Sequence, residues 1–149
     1  MLLWFVGTSV AAVWFVFRDP QFNFRLVVVG ALIPDIIDGI GGGVGPLHSL
    51  ISVVAIMVVA MLATIGRRVL RKKVLAVIIG LFLHLVFDGA FTNTSMFWWP
   101  LGGFATYEQA LPSIDRGWIN VGLELVGVVL IIWVRSQIGL MGKGIQQTQ

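Results

Sequence analysis

"RRVLRKKVLAVIIGLFLHLVFDG", residues 67–89, sets five basic residues against an apolar run that ends in a histidine and an aspartate. A helix needs roughly 20 apolar residues to cross a bilayer. Residues 74–92 come close to that and predict a transmembrane helix. The basic residues before it predict a cytoplasmic anchor, because Lys and Arg are held back from translocation. His84 and Asp88 stand four residues apart, so a helix places them on one face. Both are costly in lipid. They are either a polar pair that joins helices or part of a functional site.

The rest of the chain fits the same solvent. It is 149 residues long, 58% hydrophobic and only 11% charged, against about 25% charged for a soluble domain. We expect an all-α integral membrane protein, one transmembrane domain over 1–149 with five spans at about 2–17, 26–40, 47–66, 74–92 and 117–134. The opening "MLLWFVGTSVAAVWFVF" lacks the basic start of a signal peptide, and Arg18 follows its apolar run, so it is read as a retained first span. The second span is short and is expected to be interrupted at Pro34, with "GIGGGVGP" (39–46) unable to hold a stable helix. Residues 93–116, rich in Trp, Gly and Pro, are expected to form an outer, partly re-entrant loop, with Trp98 and Trp99 at the headgroup level. There is no cysteine, which excludes disulfides and thiolate metal sites. The basic residues flank spans and form no recognition surface, so nucleic acid is not an expected partner.

Orientation follows from the bases. Arg18 and Arg25, the cluster 67–73, and Arg135 with Lys143 fall on one side of a five-span chain, and only Arg116 on the other. This predicts the N-terminus outside and the C-terminus in the cytoplasm of a plasma (inner) membrane. The acids segregate the opposite way. Asp35, Asp38, His48, His84, Asp88, Glu108, Asp115 and Glu124 all map to the outer half or the outer loop.

Depth can be read at ~1.5 Å per helical residue. Asp35 and Asp38 lie roughly 14–18 Å up the second span, and His84 and Asp88 roughly 15–21 Å up the fourth. Glu124 reaches a similar level, and His48 sits above. Asp35 and Asp38, at i,i+3, share a face as His84 and Asp88 do. Carboxylates and imidazoles paired in this way suit Zn²⁺, Mn²⁺ or Fe²⁺, and a divalent cation would offset the repulsion among the acids. No basic residue lies at this depth to do so. Simpler roles exist for each. Asp35 and Asp38 could cap a broken helix, and His48 with Ser49 could be a cap or an interface residue. Glu124 could be a ligand, a general base or a structural partner. Glu108 and Asp115 read as solvated loop residues.

"ALIPDIIDG", "GPLHSLIS" and "HLVFDGAFTNTSMFWWPL" together resemble the predicted membrane-bound metal-dependent hydrolases of the YdjM-like (LexA-binding, inner-membrane-associated) group. The resemblance covers roughly residues 30–103 and runs through Pro34, Asp35 and Asp38, then His48 and Ser49, then His84 and Asp88, then Trp99 and Pro100. Many members of the group have one residue between the aspartates, where this chain has two. Many carry His-Arg before the His-Ser, where this chain has Gly43 and Val44, so a possible ligand and a possible phosphate-binding arginine are missing. The resemblance implies a hydrolase with a divalent metal. Asp35, Asp38, His84 and Asp88 are the expected ligands, His48 a further ligand or proton shuttle, and Glu124 or a free carboxylate a general base. A site at bilayer depth with an aromatic rim suggests a membrane lipid or lipid-linked ester or phosphoester as substrate. Two other classes fit the same residues: a transporter or proton- or cation-pathway subunit, and a non-catalytic accessory subunit with a membrane-protein partner or a second copy.

Overall fold

The computed structural model describes residues 1–102 and 117–147, the last six by backbone alone. The described residues are all-helical. In chain order the helices are α1 (Leu2–Phe17), α2 (Phe24–Ile40), a 3-10 turn (Pro46–His48), α3 (Leu50–Ala63), α4 (Arg68–Asp88), a second 3-10 turn (Ala90–Thr92), the short α5 (Thr94–Phe97) and α6 (Ile119–Gln147).

Local chemistry sets the ends. Arg18 closes α1 in a left-handed conformation (φ 48°), its N–H donating to the Trp14 carbonyl. Asn23 starts α2 and Ser49 starts α3, each side chain accepting a backbone N–H of the first turn. Gly89, at φ 73°, ends α4 where a side chain would be strained. α4 begins at Arg68, so four of the five basic residues of 67–73 lie on its first turns, with Arg67 just before it.

Pro34 does not interrupt α2, contrary to expectation. The helix runs on through it to Ile40 and ends in the glycines, with Gly42 at φ 96°. Pro34 removes one backbone donor, a cost of ~3 kcal/mol in an isolated helix. Packing along the whole of α2 outweighs it.

α2 packs most extensively on α4, and α1 on α6, with α1 bridging to α2 and α3 lying on α4. Two pairs of glycines make the close crossings. A Cβ on Gly30 would fall on the Val77 carbonyl, and one on Gly80 on the Val27 carbonyl. Gly7 and Gly127 do the same for α1 and α6.

An apolar core is present, but buried polar groups and exposed apolar side chains stand beside it. Asp38, His48, Ser49, His84 and Asp88 are all buried, whereas Val59 of α3 is 64% exposed and Leu125 of α6 63%. α6 holds Ile119–Met141, the one stretch among the described residues long and apolar enough to cross a membrane. α1 and α3 are apolar but shorter. α2 carries Arg25, Asp35 and Asp38, and α4 has its basic first turns and Asp88. By helix length and apolarity, then, one membrane-spanning candidate stands where five spans were expected. Of the expected outer loop, residues 93–102 form α5 and turns. Residues 103–116, with Glu108, Asp115 and Arg116, lie outside the described residues.

Candidate metal centre

The α2–α4 crossing builds the site. With no side chains at Gly30 and Gly80, the two backbones come close enough for His84 to reach across. Its Nδ1–H donates to the Ala31 carbonyl at 2.7 Å. A carbonyl oxygen only accepts, so the proton is on Nδ1 and the Nε2 lone pair is free.

His48 arrives from the other direction. The glycine linker turns the chain back after α2, and the 3-10 turn sets His48 over the last turns of that helix. Its Nδ1 lies 2.7 Å from Asp38 Oδ2. The carboxylate accepts, which again leaves Nε2 as the free nitrogen.

Both Nε2 atoms therefore face one point. They are 3.4 Å apart, and Asp35 Oδ1 stands 3.6 Å from each. Two imidazole lone pairs at that distance repel unless a proton or a cation lies between them. Around a tetrahedral zinc ion with bonds of about 2.0–2.2 Å, ligand atoms stand roughly 3.3–3.6 Å apart. The three edges match that spacing. Asp35, His48 and His84 form a group that could hold a metal ion.

The surroundings are ordered. The His84 ring packs against Phe5 of α1, centroids 4.1 Å apart. Ser49, beside His48, donates its hydroxyl to the Trp99 carbonyl at 2.7 Å and so ties down the aromatic turn after α5. The histidine side chains are sealed, while that of Asp35 keeps 14% exposure. The group opens on the Asp35 side.

The predicted site residues divide. Asp35, His48 and His84 converge. Asp38, expected as a ligand, instead accepts from His48 and sets the direction of that ring, as carboxylates behind metal-bound histidines do. Asp88 is buried one turn beyond His84, but its carboxylate is not among the three converging groups. Glu124 lies elsewhere. Its Oε2 accepts the Leu3 N–H at 2.8 Å and its Oε1 is 3.4 Å from the Met1 amino group, so it serves the first turn of α1. Two participants carried no sequence signal, the Ala31 carbonyl and the Phe5 ring, since neither residue type suggests a site.

No protein family, no curated protein and no solved structure matches this chain.

Proposed function

We propose that this protein is a multi-pass membrane hydrolase that uses a divalent metal, with zinc favoured, on a lipid-linked ester or phosphoester. The convergence of two uncommitted imidazole nitrogens, each ring fixed from behind, with one carboxylate oxygen carries this reading. Buried ionisable groups with apolar side chains turned outward support the membrane setting. Lipid contact along α1–α4 would let helices of modest length span a thin or deformed bilayer. The plasma membrane, with the basic end in the cytoplasm and the metal group toward the outer face, is the setting this reading adopts.

When bound, the metal supplies a water of lowered pKa and polarises the scissile group. The chain's own residues do the rest. Asp38 and the Ala31 carbonyl hold the two imidazoles. Asp35 stands at the open side, where substrate enters. Asp88, buried on the His84 face of α4, would take the proton in place of Glu124. The aromatic turn anchored by Ser49 offers Trp98, 48% exposed, to an acyl or prenyl chain.

The test is metal content of detergent-purified protein by mass spectrometry, wild type beside His84→Ala, followed by turnover of lipid phosphoesters with metal added. One bound transition metal lost in the variant, with turnover lost in parallel, supports the proposal. An empty wild type that hydrolyses nothing overturns it and turns attention to proton movement through the same groups.

A further inference from the structure

We propose that the cleft bounded by the α1–α2 connection, α4 and α3 binds one anionic glycerophospholipid, its phosphate on Lys72 and Lys73 and one acyl chain between α3 and α4. This rests on the membrane setting but not on the metal.

Two cavities carry the inference. The first, about 550 Å³, is walled by Phe17 and Phe22 on one side and by Lys72, Lys73, Leu75 and Ile79 of α4 on the other. The second, about 290 Å³, is apolar and runs between Val54 and Met57 of α3 and Ile78 and Phe82 of α4. Leu75 and Ile79 line both, so the cationic mouth adjoins the apolar groove across one ridge of α4. From Leu75 to Phe82 the groove follows α4 for about 10 Å, much of the depth of one leaflet.

The charges favour an anion. Asp19 also borders the mouth, but its Oδ1 accepts the Gln21 N–H at 2.8 Å and is turned into its own loop. On the far side of the Gln21–Asn23 segment, Arg25 and Arg135 share a further cavity of about 750 Å³. Their charges add to the positive potential at this end. A soluble phosphate would use the lysines alone. The adjoining apolar groove needs an occupant with a chain, and a phospholipid supplies head and chain together.

The experiment uses the full chain in nanodiscs of phosphatidylcholine with a minor fraction of phosphatidylglycerol, read by native mass spectrometry. Wild type is expected to retain one phosphatidylglycerol. Lys72→Gln and Lys73→Gln should each weaken retention about fivefold, as expected for one basic residue near a headgroup. Met57→Trp, at a 39% exposed position, should fill the groove and weaken retention with charge unchanged. Arg67→Gln with Arg68→Gln removes twice the charge of either lysine variant from the same end and should still leave retention intact. Asp35→Asn should leave it intact too, which separates this site from the metal group. A wild type that retains no phosphatidylglycerol overturns the proposal. So does an equal loss in the Arg67/Arg68 pair, an indifferent Met57→Trp, or release by inorganic phosphate.

Discussion

Asp38 and Asp35 are one helical turn apart and differ in role. Asp38 is wholly buried and holds His48 Nδ1, whereas Asp35 offers an oxygen to the central point. Their removal should therefore have graded effects. Asp35→Ala takes away one of the three converging groups and should abolish metal retention. Asp38→Ala leaves the three converging groups in place but frees the His48 ring, and should weaken metal about 10–100-fold. Glu124→Gln should not change metal affinity, because its carboxylate is engaged at the start of α1. A zinc competition titration on the three variants reads all of this, and equal losses in Asp38→Ala and Asp35→Ala would put Asp38 among the ligands. Much of this site could be read from residue types. The His and Asp positions were marked by their cost in lipid, and face-sharing followed from the i,i+3 and i,i+4 spacing. Roles were not legible. Spacing gives a shared face but not height or a partner from elsewhere, so it does not single out Asp35, His48 and His84 as the converging three. His48 was placed too high because the glycine linker that folds it back has no periodicity to read.

At the scale of elements, the α2–α4 crossing decides whether a site exists. His84 reaches the Ala31 carbonyl only because Gly80 and Gly30 let the backbones meet. Gly80→Leu would drive a side chain into the Val27 carbonyl and separate the helices. Overpacking of this kind costs about 1–3 kcal/mol, and here the metal should be lost as well. Gly122→Leu is the control, since a Cβ at Gly122 meets nothing. Thermal unfolding with and without zinc is the measurement. Zinc should raise the midpoint of wild type and Gly122→Leu and leave Gly80→Leu unmoved. A zinc-stabilised Gly80→Leu would mean the crossing does not shape the site. Apolar runs announced the long helices, but the continuity of α2 was hidden. Pro34 and the glycines after it carry the same local signal of a broken helix. Only the packing of α2 against α4 distinguishes a proline that is absorbed from glycines that end the helix.

For the whole molecule, length and apolarity single out one stretch among the described residues, Ile119–Met141, as able to cross a membrane. The proposed multi-pass setting adds α1–α4 to it. Arg25, Arg135, Lys72 and Lys73 also gather at one end. Arg25 and Arg135 line one cavity, and the Gln21–Asn23 segment between it and its neighbour faces Lys72 and Lys73. If α1–α4 span as well, the turn at Thr64–Arg67 and the Gln21 loop share a face of the membrane, and Trp118, 91% exposed, lies on the opposite face. The absence of cysteine makes this directly measurable, because a single introduced thiol is the only one present. In intact bacterial cells expressing single-cysteine variants, Trp118→Cys should react with a membrane-impermeant maleimide. Gln21→Cys and Ile65→Cys should react only after the cells are opened. Labelling of Gln21→Cys and Trp118→Cys from the same side would leave α6 with no matching return through α1–α4. Positive-inside bias would then fail to describe this chain, and the metal group would have to be sought at the membrane surface.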